Sequence, residues 1–91
     1  MIFVIPEPLR DLAGSRDEVR VDGDARSLAD ALGLLWTSCP GVRDRILTER
    51  GEVRPHVNIF VDGESIRFAA GLATPVHPRS EIVILPAVSG G

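Results

Sequence analysis

The residues best suited to chemistry lie at the end of the chain, where Ser89 is followed by Gly90 and Gly91. They come after an apolar run at residues 82–85 and the stiffer residues 86–88, so we expect a buried strand to lead into a flexible tail. A terminal carboxylate on Gly91 is ionised at neutral pH and can attack an activated phosphoryl group that another protein supplies. Because glycine has no Cβ atom, Gly90 and Gly91 would let an extended tail enter a narrow channel. The alternative is a frayed terminus of the kind that most domains have.

Other catalytic machinery is not evident in the sequence, which contains no glycine-rich phosphate loop with a lysine, no His-Glu-x-x-His, no Cys-x-x-Cys and no Gly-x-Ser-x-Gly. His56 and His77 have no acidic or cysteine neighbours at ligand spacing and are predicted to be surface residues. The single cysteine, Cys39, is predicted to be a small buried packing residue. We therefore expect a protein that is not an enzyme, binds no metal and holds no cofactor of its own.

Composition sets further limits on function. The 91 residues suffice for one domain, and 44% hydrophobic with 25% charged residues is typical of a globular protein. A net charge of −3 without a basic block makes nucleic acid an unexpected partner. No apolar stretch approaches the roughly 18 residues of a membrane span, and the apolar start has no basic region before it and is cut short by Pro6. A cytoplasmic protein with no membrane association is expected.

Two kinds of strand pattern appear near the ends of the chain. Residues 2–5 and 82–85 are continuously apolar, which predicts central strands, and we expect the two ends of the chain to lie side by side. Residues 18–22 alternate between charged and apolar types, which predicts an edge strand with one face in water.

One helix is clearly predicted after Ser27. Ser27 is a plausible N-cap with Asp30 three residues later, as in a capping box, and Pro40-Gly41 closes the helix. A short second helical turn is possible within residues 42–50. The apolar stripe of the main helix has the spacing of a helix lying on a sheet and comprises Leu28, Ala31, Leu32, Leu35, Trp36 and Cys39.

A hairpin is predicted in the second half of the chain. Residues 57–61 are strand-like, Asp62-Gly63 suits a tight turn, and residues 66–68 are predicted to form the returning strand. Residues 71–75 are expected to form a loop or a single helical turn. The predicted order is β-β-α-β-β-β.

The sequence resembles the ThiS/MoaD family of ubiquitin-like sulfur carriers over essentially its whole length. The resemblance implies an α+β, β-grasp fold: a mixed sheet of four to five strands with one main helix packed on one face. It implies a single domain over residues 1–91 with a flexible C-terminal tail at residues 86–91. The motifs that carry it are Pro6-Glu7-Pro8-Leu9-Arg10-Asp11-Leu12-Ala13-Gly14, Val57-Asn58-Ile59-Phe60-Val61-Asp62-Gly63 and Ile84-Leu85-Pro86-Ala87-Val88-Ser89-Gly90-Gly91.

The resemblance also implies a function. An ATP-dependent, E1-like adenylating enzyme of the MoeB/ThiF type would adenylate Gly91, and sulfur would then replace AMP to leave a thiocarboxylate. A sulfur-accepting synthase would receive that sulfur in cofactor or cysteine biosynthesis. The residues of the motifs are most similar to those of the cysteine-biosynthesis carriers. Two alternatives stay open: a protein modifier joined through Gly91 to lysines, and the small subunit of a molybdopterin synthase-type complex.

A partner-binding surface is predicted from strand parity. If Ile82 and Ile84 face the helix, Val83 and Leu85 face outward, and the same reasoning places Phe60 on the open face. The resemblance implies that such a patch docks on the activating enzyme, with Pro86 and Val88 of the tail also in contact. The alternative is that a crossing loop covers these residues.

Overall fold

The computed structural model describes residues 1–86, so Pro86 is the only part of the predicted 86–91 tail within it. The strands are β1 (Ile2–Val4), β2 (Glu18–Arg20), β3 (Val57–Val61), β4 (Glu64–Ser65) and β5 (Glu81–Pro86), and the α-helices are α1 (Leu28–Ser38) and α2 (Arg43–Ile46). Short 3-10 helices occupy Glu7–Ala13, Pro40–Val42, Ile66–Phe68 and Gly71–Ala73. None of the helices within residues 1–86 has the length and apolar content that crossing a membrane requires.

The five strands form one mixed sheet in the order β2-β1-β5-β3-β4. β1 and β5 are parallel, with Phe3 opposite Ile82, and the other neighbouring strands are antiparallel. The first and last strands therefore lie side by side as predicted, and β2 lies at an edge. The α+β class and the mixed sheet with one main helix are confirmed.

Helix α1 covers one face of the sheet and begins as predicted at Ser27. The Ser27 hydroxyl accepts a hydrogen bond from the backbone N–H of Asp30 at 3.2 Å, which satisfies one donor of the first turn. The reciprocal bond of a capping box is displaced by one residue, because the Asp30 carboxylate accepts from the backbone N–H of Arg26 at 3.3 Å. The core between helix and sheet is made of fully buried apolar side chains, among them Phe3, Ile5, Leu28, Leu32, Leu35, Ile59, Ile82 and Ile84.

The prediction of a returning strand at residues 66–68 is wrong. The hairpin turn forms at Asp62 and Gly63, with φ of 50° and 87°, but the returning strand β4 ends at Ser65. Ile66–Phe68 is a 3-10 helix in which the Ser65 hydroxyl accepts from the backbone N–H of Arg67 at 3.3 Å. Arg67 Nη2 donates to the carbonyl oxygens of Pro55 at 2.7 Å and Val57 at 3.3 Å, so its side chain bonds to the start of β3, whereas strand pairing with β3 ends at Ser65.

Three other segments are helical. Glu7–Ala13 is a 3-10 helix that ends at Gly14, where φ is 68° and the backbone N–H donates to Arg10. The sequence pattern did not predict it. Within residues 42–50, the expected helical turn is present as α2, which is only four residues long. Residues 71–75 were expected to form a loop or a single helical turn, and Gly71–Ala73 forms the helical turn.

Candidate functional site

Strand β5 presents alternate side chains to the two faces of the sheet. Ile82 and Ile84 are 0% and 1% exposed beneath α1, whereas Leu85 is 44% exposed on the opposite face. Val83 lies on that same open face and is half-buried. The parity that the sequence predicted for this strand is therefore present in the structure.

An apolar patch lies across three neighbouring strands on the open face. Phe60 lies directly opposite Val83, and Val83 lies opposite Val4 of β1 on its other side. Phe60 and Val83 are half-buried rather than fully exposed. We call Ile2, Val4, Phe60, Val83 and Leu85 the open-face patch.

Ile2 and Val4 were absent from the residues predicted for this site. Both are half-buried, whereas Phe3 between them is 0% exposed, so β1 alternates although its sequence is apolar throughout. The parallel register, with Val4 opposite Val83, brings them to the patch. Strand alternation alone allowed either Ile2 and Val4 or Phe3 and Ile5 to face outward, and an apolar run does not reveal the register that decides between them.

Polar and charged side chains border the patch. Arg20 and Glu18 of the edge strand lie opposite Ile2 and Val4 and are exposed. Ser65 lies opposite Phe60 on the other side. An apolar centre with a polar rim is the usual anatomy of a protein–protein interface, and exposed apolar clusters often mark such sites.

Pro86 lies on the other face of the sheet, away from the open-face patch. It is opposite Val57, whose side chain is 3% exposed on the helix side. It also lines a surface niche of about 210 Å³ together with Pro8, Leu9, Arg45, His56, Val57 and Ile84. The structure thus brings together the predicted residues Phe60, Val83 and Leu85 but separates Pro86 from them. Val88, Gly90 and Gly91 lie outside the described residues.

The start of β5 is fixed by a cluster of hydrogen bonds around Asp62. Its carboxylate accepts from the backbone N–H of Glu81 at 2.9 Å and from the Ser80 hydroxyl at 3.0 Å. His77 Nε2 lies 3.3 Å from the same carboxylate. The backbone N–H of Glu81 lowers the pKa of Asp62 below 3.8, aided by Ser80 and His77 and opposed by desolvation. We call Asp62, His77, Ser80 and Glu81 the hairpin clasp.

Residues 1–86 were predicted to hold no metal site, and their one cysteine was predicted to be a packing residue. No cluster of three or more histidine, cysteine or acidic side chains with the geometry of a metal site occurs in that part of the chain. Cys39 is 2% exposed, as predicted for a packing residue, and its sulfur accepts a hydrogen bond from Arg16 Nη2 at 3.3 Å. His77 is a surface residue as predicted, but its contact with Asp62 was not anticipated.

A mixed sheet with parallel terminal strands at its interior and one main helix across it defines a ubiquitin-like, β-grasp protein. The sequence profile of the ThiS family matches residues 3–91, and the chain belongs to that family.

Individual relatives agree with this assignment. Sulfur carrier protein CysO of Mycobacterium tuberculosis is 35% identical over 89 residues, covering 96% of this chain and 94% of the relative. Small archaeal modifier protein 1 of Haloferax volcanii is 38% identical over 84 residues, covering 91% of each. A chain in the crystal structure of the Amycolatopsis orientalis BexX/CysO complex superposes with a TM-score of 0.88 at 28% identity, covering 99% of this chain and 98% of that one. The chain is therefore similar both to named sulfur carriers and to named protein modifiers.

Proposed function

We propose that this protein is a sulfur carrier whose reactive group is the carboxylate of Gly91. A carboxylate oxygen attacks the α-phosphorus of ATP on an E1-like enzyme of the MoeB/ThiF type, and pyrophosphate leaves. Hydrosulfide, or a donor that delivers sulfur at the same oxidation level, then attacks the acyl carbon and AMP leaves, which produces a terminal thiocarboxylate. A sulfur-accepting synthase consumes that group in cysteine or cofactor biosynthesis.

The observation that supports this proposal most directly is that the ThiS family profile extends through Gly91. The 35% identity to a protein named as the sulfur carrier CysO supports the carrier role. Strand β5 ends at Pro86, so only five residues of sequence separate the end of the central strand from the proposed reactive group. Gly90 keeps the residue beside the acyl group free of a side chain, which suits a narrow nucleotide-containing channel.

The open-face patch is the proposed docking surface for the activating enzyme. Its apolar centre and polar rim fit a contact between proteins better than a small-molecule pocket. The nucleotide belongs to the partner in this scheme, since ATP is bound and consumed by the activating enzyme. The carrier itself contributes recognition on one face and the acyl group at its end.

Deletion of Gly91 tests the reactive group. The shortened protein is expected to support no ATP–pyrophosphate exchange with the activating enzyme, because the reacting carboxylate has moved by one residue. Ser89→Ala is the matched control, since it changes the tail but keeps both glycines, and it should exchange normally. Exchange by the shortened protein at the parent rate would refute the assignment.

A second role is favoured by the 38% identity to a protein named as a small archaeal modifier. A modifier would use the same adenylate but transfer the acyl group to a lysine of another protein. Mass spectrometry of protein from its own host separates the two roles. A mass gain that corresponds to oxygen replaced by sulfur supports the carrier, whereas Gly-Gly remnants on lysines of other proteins without that gain support the modifier.

A further inference from the structure

Every basic side chain in the Lys+Arg count of 10 is an arginine. An arginine guanidinium keeps its proton in proteins, so it is not a nucleophile at neutral pH. A lysine amine loses its proton far more readily and is the usual acceptor when an activated acyl group is transferred to a protein. The 91 residues therefore carry positive charge without supplying a side-chain amine.

The two remaining strong nucleophiles are held back by the fold. The amino group of Met1 donates hydrogen bonds to the carbonyl oxygens of Val21 at 3.0 Å and Pro78 at 2.8 Å, and Met1 is 6% exposed. The thiol of Cys39 is 2% exposed and accepts a hydrogen bond from Arg16. Both groups would have to leave their packed positions before they could attack an acyl carbon.

The absence of lysine matters most near the end of β5, where a side-chain amine would be closest to the tail. Arg45 lines the same niche as Pro86, and the five residues that follow Pro86 span at most about 18 Å when extended. A lysine at position 45 would therefore lie within reach of the Gly91 carbonyl at an effective concentration in the millimolar range, as short flexible linkers provide. His56 also lines this niche. Acylation of its imidazole would give a product that hydrolyses rather than a stable amide.

We infer that the protein withholds amine acceptors from its own activated terminus, so the acceptor of the acyl group is always another molecule. An activated copy then neither cyclises nor joins to a second copy, and any conjugate that it forms on a target contains a single copy at each site. The inference rests on the proposed activation of Gly91. Its test uses chemical activation, so its failure is distinguishable from failure of the enzymatic scheme.

The test begins with a C-terminal thioester made by thiolysis of an intein fusion of the full chain. Amide formation requires a deprotonated amine to attack the thioester carbonyl. A C–N bond forms, the C–S bond breaks, the thiol leaves and the amine proton passes to solvent. The parent, Arg45→Lys and Arg79→Lys are incubated separately at micromolar concentration and mildly alkaline pH, and products are read by intact mass and peptide mapping.

Arg79→Lys is the matched control because Arg79 precedes the start of β5, and the six residues of β5 span about 20 Å between it and the tail. The parent is expected to yield only the hydrolysed acid. Arg45→Lys is expected to form an internal amide at least about tenfold faster than Arg79→Lys forms any amide. Circular dichroism verifies that all three proteins are folded. Amide-linked dimers or cyclic product from the parent would overturn the inference, and so would equal amide yields from the two variants.

Discussion

Leu85→Asp is expected to weaken docking on the activating enzyme while leaving the protein folded. Leu85 is 44% exposed on the open-face patch, so slightly more than half of its surface is already buried. Full burial of a leucine side chain contributes about 1.5–3 kcal/mol, so the substitution should destabilise the fold by about 0.8–1.7 kcal/mol. The remaining exposed surface would contribute about 0.7–1.3 kcal/mol on docking, which corresponds to about a 3- to 9-fold change in KM.

The aspartate adds a second penalty, because an unpaired carboxylate pressed against an apolar partner loses its hydration. That cost is about 1–3 kcal/mol, so the total rise in KM for the carrier should reach at least about tenfold. Leu12→Asp is the matched control. Leu12 is 38% exposed, so the change in charge and the loss of stability are similar, but it lies in the Glu7–Ala13 helix and outside the patch.

The assay is ATP–pyrophosphate exchange with the activating enzyme at a temperature below the unfolding midpoints of both variants. Leu85→Asp should raise KM, and Leu12→Asp should not. The pair Phe60→Asp and Phe68→Asp repeats the comparison, since Phe68 is 87% exposed and lies outside the patch. Phe60→Asp should raise KM, whereas Phe68→Asp should leave it unchanged. If both members of each pair had equal KM values, the open-face patch would not be the docking surface.

Three further outcomes are expected. Deletion of Gly91 should abolish both pyrophosphate exchange and thiocarboxylate formation. If either reaction persisted at the parent level, the assigned reactive group would be wrong. Ser27→Ala should lower the free energy of unfolding by about 1 kcal/mol in chemical denaturation, since it removes the acceptor for the Asp30 N–H; an unchanged midpoint would show that the cap contributes nothing. Asp62→Asn should destabilise the protein at neutral pH. Because the pKa of Asp62 is lower in the folded state than its ordinary value of 3.8, the charge stabilises the fold above pH 3.8, and this stabilisation is lost as the pH falls through the folded pKa. The difference in unfolding free energy between parent and variant should therefore narrow in acid. A difference that does not change with pH would argue against the charge as the cause.

Local periodicity predicted the elements that depend on burial of one face. Leu28, Leu32 and Leu35 recur at helical spacing and are buried in α1, because a helix on a sheet must bury one stripe. Alternation predicted the two faces of β5, with Ile84 inside and Leu85 outside. These features could be predicted because burial recurs along a helix about every 3.6 residues and along a strand every second residue.

Two of the three missed features involve contacts between residues at least ten positions apart in the chain. Residues 66–68 have the branched and aromatic composition of a strand but form a 3-10 helix, and the Arg67 side chain donates to the carbonyl oxygens of Pro55 and Val57. The contact of His77 with Asp62 joins residues 15 positions apart and was invisible to spacing rules. Glu7–Ala13 has no 3.6-residue periodicity to detect, since it is a 3-10 helix that begins between prolines at positions 6 and 8.

The open-face patch and Gly91 are linked by a short stretch of chain, and in the proposed scheme recognition takes place at the patch and reaction at Gly91. Gly91 is six residue steps from Leu85, so docking at the patch would confine the acyl carbon to within about 22 Å of a fixed point on the enzyme. The hairpin clasp fixes the start of β5 and so limits how far Leu85 can shift within the carrier. A defect in docking therefore lowers only the fraction of carrier that is bound, and a saturating concentration of Leu85→Asp should restore the parent exchange rate. No concentration of the Gly91 deletion should do so, because the reacting atoms no longer reach the nucleotide in the correct position.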